Sequence, residues 1–438
     1  MIVTVTPNPA LDLTWHVASL TVGDTHRADA GQVRAGGKGL NVARVAHAQG
    51  ADTIAMTTTG GTTGAEFAAE LAASGVPHVL VPVEASTRRS VALVDEALGD
   101  TTVVNERGIA PSDAEWQTLR DAVSRALRAD GAAGAPAPGA SAVPAPGAPA
   151  VPAPGAPADD APAPGAPAVP APAPGAPADG DERGADTPDV GRIPRERPIS
   201  GVSAPDPDAP DPDAPDPDAP DSDAVDSGAV DAPAAGAARV LVISGSLPPG
   251  IPDDALPDLI RLGREAGVRV IVDTSGPALL AAADAGASVL KPNEHELRDA
   301  TGLDDPVDGA RELIRRGARL VLLSLGADGM LAITPTASGD VSVLHARLGA
   351  ALGGNPTGAG DAAVAACAVL MDAGIHDPAQ ILRRATAWSA AAVLMPLAGE
   401  IHPSWPELES ALTITALTIT ARPAGPAADP PHHPEETR

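Results

Sequence analysis

The sequence predicts an α/β fold: a mainly parallel central sheet covered by helices on both faces, with a small second β-sheet set apart. Short β-branched runs alternate with amphipathic or alanine-rich stretches along most of the chain. The runs are apolar throughout, as strands buried on both faces of a parallel sheet must be. Two regions, 11–35 and 88–107, instead alternate apolar and polar residues, as antiparallel ribbons with one wet face do.

In chain order, a strand over 2–6 leads into the first ribbon, with a turn at Val22-Gly23-Asp24. Helices over 39–48 and 65–74 precede a strand over 79–83. The second ribbon turns at Leu98-Gly99-Asp100, and a helix over 113–128 follows. Later strands fall at 240–244, 268–273 and 320–325, and later helices at 252–266, 307–316, 361–373 and 378–394.

Between the halves, residues 131–236 hold 26 of the 49 prolines in tandem repeats, PAPGAPA variants and then PDPDA from Pro205 to Ala219. With 18 acidic residues against 4 arginines they carry −14 of the chain's formal charge of −28. Proline disrupts helix, like charges repel, and little apolar surface is available to offset ordering entropy. The segment reads as an extended, disordered insertion. Residues 1–130 and 237–412 then make one large α/β domain, and 413–438, with a doubled ALTIT and a Pro-rich end, read as an unstructured tail.

Composition narrows the function. Across 438 residues the aromatic content is 1%, with no Tyr, so base-stacking surfaces are excluded, and the acidic charge repels nucleic-acid backbones. No apolar run is long enough to span a bilayer. A single cysteine, Cys367, leaves no internal disulfide and no cysteine pair for structural zinc, which fits a reducing, cytoplasmic setting.

The scarce residues point to chemistry. Only two lysines occur, Lys38 in GGKGLN and Lys291 in KPNEHEL, and positive charge is otherwise supplied by arginine. The five asparagines, Asn8, Asn41, Asn105, Asn293 and Asn355, lie in TPNPALD, GGKGLN, VVNERG, KPNEHEL and NPTGAGD. Lysine is a compact point charge suited to a phosphate oxygen, and the arginine fork does not replace it. In Gly353 to Asp361, glycines run into an alanine-rich helix whose amides can hold an anion. A carboxylate inside such a site repels phosphate unless it takes a proton from an attacking hydroxyl. Gly36-Gly37-Lys38-Gly39 is a second glycine turn before a helix, and Ser244 to Gly250 follows a strand end, where ligand crevices form. Asn293 and Glu296 have capping-box spacing, and Glu296 also offers a carboxylate for hydrated magnesium. Ser324 to Gly329 suits a nucleotide passing over glycines.

Together TPNPALD, GGKGLNVAR, SGSLPPG, KPNEHEL and NPTGAGDA resemble the ribokinase-like (PfkB) carbohydrate kinases, within them the branch of 1-phosphofructokinases and tagatose-6-phosphate kinases. The resemblance implies a three-layer αβα sandwich with a small β-lid, an ATP and Mg2+ requirement, a phosphosugar substrate, no nucleic-acid or membrane partner, and a homodimer through the lid. It implies that Asp361 is the base and that Gly358, Ala359 and Gly360 form the anion hole. Asp12, Gly36, Gly37, Asn41 and Asn105 would contact the sugar. Lys38 and Arg88, with Ser246, would hold its existing phosphate. Lys291, Asn293, Ser324, Gly326 and Gly329 would line the ATP side, with Glu296 supporting magnesium. The implied reaction is fructose 1-phosphate to fructose 1,6-bisphosphate, with tagatose-6-phosphate or fructose-6-phosphate kinase, or a non-catalytic sugar-phosphate binder, as alternatives. The 131–236 insertion and the aromatic scarcity depart from the family pattern. The scarcity argues against an aromatic contact to adenine.

Overall fold

In the computed structural model, which describes residues 1–128 and 239–417, two sheets share the strands. The first is seeded by β1 (Ile2–Thr6), whose five residues are all buried. The small sheet takes β2 (Ala10–Val17) and β3 (Gln32–Gly36), and β3 runs straight into helix α1 (Lys38–Ala48). Next come β4 (Thr53–Thr59), α2 (Gly61–Ala73) and β5 (His78–Pro82), then the lid strands β6 (Arg88–Asp95) and β7 (Asp100–Asn105) and helix α3 (Asp113–Arg128).

The second half alternates β8 (Val240–Ser244), α4 (Ala255–Glu265), β9 (Arg269–Asp273), α5 (Pro277–Asp284), β10 (Val289–Leu290), α6 (Glu294–Thr301), α7 (Pro306–Arg316) and β11 (Leu320–Ser324). A meander β12 (Met330–Pro335) and β13 (Val341–Arg347), helices α8 (Ala359–Asp372), α9 (Pro378–Val393) and α10 (Trp405–Ala411), and strand β14 (Thr413–Leu417) complete it.

Seven strands, in the order β5-β4-β1-β8-β9-β10-β11, are parallel, and β12, β13 and β14 continue the sheet antiparallel. Chain order reverses between β1 and β8, so a crevice opens at their carboxyl ends. Two buried clusters flank the sheet. One packs α3, α4, α5 and α7 and the other packs α1, α8 and α9. Alanine fills α8, where ten residues are buried, so the helix approaches the sheet closely without aromatic bulk.

The αβα sandwich and the lid are as expected. The β-lid is ordered β3-β2-β6-β7, its two antiparallel ribbons joined by parallel pairing of β2 with β6. The expected turn at Val22-Gly23-Asp24 lies within a long connection over 18–31, since β2 ends at Val17. The expected tail starts later, because Thr413–Leu417 pairs with β13 as an edge strand. Its β-branched run takes the hydrogen bonds β13 offers. The expected insertion over 131–236 and the end beyond 417 lie outside the described residues. Among the described residues, no helix is long and apolar enough to cross a membrane.

Candidate active site

A cavity of about 1060 Å³ opens where the strand order reverses, between the lid and the head of α8. Every site residue expected from the sequence lines it except Gly36. Gly36 pairs with Ala10 across the lid, and any Cβ there would collide with the Asp12 carboxylate. Its missing side chain makes room for Asp12.

Asp361 stands in the first turn of α8 and is 5% exposed. Gly358, the residue before the helix, has φ +86, and a Cβ there would lie 2.8 Å from Ala398 Cα, so glycine is required on both counts. The loop is braced by Asn355, whose Nδ2 donates to the Pro396 carbonyl (2.9 Å) and whose Oδ1 accepts from the Thr357 amide (3.0 Å). Among the described residues the amides of Gly358, Gly360 and Asp361 donate to no protein acceptor. Three free amides at a helix head form an anion site. Asn41 Nδ2 donates to Asp361 Oδ2 at 2.8 Å. Burial, reinforced by the charge of Asp273, pushes the Asp361 carboxyl up to about 7, against the opposing effects of Lys38, Asn41 and Lys291.

Both lysines of the chain meet at one aspartate. Asp273, at the carboxyl end of β9, is fully buried, with Lys291 Nζ 3.4 Å from Oδ1 and Lys38 Nζ 3.5 Å from Oδ2. Ser244 Oγ donates to Oδ2 (3.3 Å), whereas Oδ1 accepts no hydrogen bond among the described residues. Burial opposes the charge on Asp273, but Lys291 and Lys38 overcome it and hold the carboxyl below its ordinary range. Asp273 in turn raises Lys38, against burial and with help from Glu296. Glu296 accepts from the Asn293 amide through Oε2 (3.0 Å) and presents Oε1 to Lys38 Nζ at 3.6 Å. Asn293 completes the capping box by accepting from the Glu296 amide (2.8 Å). The cap and the site therefore use opposite oxygens of one side chain. Ser324, at the end of β11, bridges to Asn293, and Gly326 and Gly329 bound the short turn that follows.

At the lid end, Arg88 donates from Nη2 to the Asn8 carbonyl (3.2 Å) and from Nη1 to that of Glu106 (2.9 Å). Asn8 Nδ2 reaches the Arg107 carbonyl (3.1 Å) and Ser246 Oγ (3.3 Å). Asn105, at the end of β7, and Gly37 complete this end of the lining. Burial raises the Asp12 carboxyl to about 6, opposed by Arg88, Arg34 and Arg44.

Lys38 and Arg88, expected to share one phosphate, line the same cavity with different neighbours. The Lys38 ammonium lies against Asp273 and Glu296, so α1 delivers it to the α8 side. Asp273 and Arg107 were not anticipated. Asp273 sits in IVDTSG, where a charged residue ending an apolar strand at a carboxyl edge was the available signal. Arg107 had only its neighbour Asn105 to mark it.

The sequence model of pfkB family carbohydrate kinases matches residues 6–129 and 217–405. The chain belongs to this family. A pfkB kinase transfers phosphoryl to an alcohol, with a nucleoside triphosphate as donor. The 1-phosphofructokinase of Haloferax volcanii is 30% identical over 94% of this kinase and 96% of the relative. That of Rhodobacter capsulatus is 37% identical over 42% of this kinase and 57% of the relative. The crystal structure of Escherichia coli phosphofructokinase-2 in complex with potassium superposes with a TM-score of 0.63 at 22% identity, covering 93% and 98% of the two chains, a likeness of fold.

Proposed function

We propose that this pfkB kinase moves the γ-phosphoryl group of ATP to the C6 hydroxyl of fructose 1-phosphate, giving fructose 1,6-bisphosphate. The observation that carries the proposal is a buried carboxylate, raised to about 7, beside three free amides and next to two lysines held by one aspartate. The names of the two relatives above favour fructose 1-phosphate.

In this reading Asp361 takes the proton of the C6 hydroxyl as that oxygen attacks the γ-phosphorus, and Asn41 fixes the carboxylate that accepts the proton. The amides of Gly358, Gly360 and Asp361 receive charge on the transferring group, and Ala359 spaces them. Lys38 and Lys291 add positive charge along the same line. Asn293, Ser324, Gly326 and Gly329 take the nucleotide, and Asp12, Gly37, Asn41 and Asn105 the sugar hydroxyls. Asp273 Oδ1 and Glu296 Oε1, which accept no hydrogen bond among the described residues and face only the lysine ammonium groups, would be the oxygens to hold a hydrated magnesium ion. Magnesium, when bound, neutralises phosphate charge.

A substrate panel tests the proposal. ADP release should be fastest with fructose 1-phosphate and slower with fructose 6-phosphate or tagatose 6-phosphate. Preference for an unphosphorylated hexose would contradict it. The pH dependence follows from the base. Asp361 acts only when ionised, so kcat/KM should rise about tenfold per pH unit below about 7 and level off above it. A profile flat from pH 5 to 8 would remove Asp361 from that role.

We further propose a cytoplasmic enzyme that dimerises through the lid, where Val103 and Val104 on β7 are 48% and 59% exposed. Light scattering should give twice the 43.3 kDa chain mass, and Val104→Asp should halve it.

A further inference from the structure

We propose that Arg107 is the specificity-determining residue that, together with Arg88, receives the phosphate already present on the sugar. The inference rests on the phosphosugar reading above and revises which cation serves that phosphate.

Four cations line the main cavity: Lys38, Arg88, Arg107 and Lys291. The two lysines are committed to Asp273, at 3.5 and 3.4 Å. A phosphate at the lid end would have to draw Lys38 away from both Asp273 and Glu296, leaving a buried carboxylate with half its counter-charge. Arg88 is at the lid end, but its Nη1 and Nη2 already serve two backbone carbonyls. Arg107 is exposed, and among the described residues its guanidinium forms no hydrogen bond or ion pair, unlike that of Arg88. It is the cation whose donors are all available.

Its backbone, in contrast, is fixed beside Arg88. The Arg107 carbonyl accepts from Asn8 Nδ2, and the same nitrogen reaches Ser246 Oγ. Gly108 follows with φ +80, where a Cβ would lie 2.5 Å from Asn8 Oδ1 and 3.2 Å from Arg88 Cδ. Only glycine lets the loop press this closely on Asn8 and Arg88. Two acids of the lid are engaged elsewhere. Glu106 is turned to the Arg89 amide (2.7 Å), and Asp12 faces Arg88, Arg34 and Arg44. A planar, five-donor group whose backbone is anchored next to a second arginine and, through Asn8, to a serine hydroxyl matches a phosphate dianion.

Steady-state kinetics on the full chain test this, with fructose 1-phosphate, fructose 6-phosphate and unphosphorylated fructose as acceptors and Arg107→Gln and Arg107→Lys as variants. For the preferred phosphosugar, Arg107→Gln should raise KM about tenfold or more with kcat within about twofold, as loss of a charged hydrogen bond predicts. KM for ATP and turnover of fructose should not change, and Arg107→Lys should recover part of the loss. These contrasts separate phosphate recognition from a loop defect, which would move every substrate alike. If Arg107→Gln keeps the wild-type KM for phosphosugars, the assignment of Arg107 is overturned and the kinase reading stands. If the wild type prefers fructose to both phosphosugars, the phosphosugar reading itself fails, and this inference with it.

Discussion

Replacing Asp361 by asparagine should lower kcat by about 10²–10⁴-fold, the usual contribution of a general base, while binding of both substrates is retained. The substitution preserves volume, and the new side chain keeps an oxygen for the Asn41 amide at 2.8 Å. It removes a charge that the fold tolerates at some expense. A carboxylate facing free amides at a helix head is favourable by itself. Full burial and the nearby charge of Asp273 outweigh that, and the carboxyl is raised to about 7. The neutral variant should therefore be at least as stable as the wild type at pH 8, where Asp361 is ionised. Paired measurements of single-turnover rate and ligand affinity separate the two effects. Weakened binding at an unchanged rate would mark Asp361 as a ligand-holding group instead.

The second large effect is expected at Asp273. Asp273→Asn leaves two ammonium groups around a neutral amide in a buried position. Breaking a buried ion pair from one side costs on the order of 3–5 kcal/mol, to be read from urea unfolding. The substitution also removes a charge that raises Asp361, so the acid limb of kcat/KM should move below 7. Lys38, held up mainly by Asp273, should lose proton affinity. Turnover should fall more than tenfold, since both lysines lose the group that aims them. A variant of unchanged stability and unchanged acid limb would show that the lysines are held by something else.

Much of this was legible in the sequence because the relevant signals are local. The β-branched, largely apolar runs IVTVT and VLVIS mark two-sided burial and coincide with β1 and β8. Asn293 and Glu296 announce their cap by spacing alone. The rarity of lysine pointed to Lys38 and Lys291 without saying that they share a partner, because Asp273 reaches them only through tertiary assembly. The same limit explains Lys38. A glycine turn before a helix fixes where the residue starts, but α1 decides which end of the cavity its ammonium reaches. Strands β12 and β13 are set by pairing, since Met330–Pro335 takes its place only where β11 offers an edge and Val341–Arg347 only where β12 does. Strand β14 was lost in a repeat that resembles its own continuation. The four-residue logic of Asn8, Arg88, Arg107 and Ser246 joins segments up to 238 residues apart and has no sequence signature.

The proposed phosphoryl transfer depends on the protonation state of one side chain. Carboxyl ¹³C NMR of aspartate-labelled protein, with Asp361→Asn supplying the assignment by difference, should show Asp361 titrating near pH 7. A midpoint near 4, in the ordinary aspartate range, would contradict it.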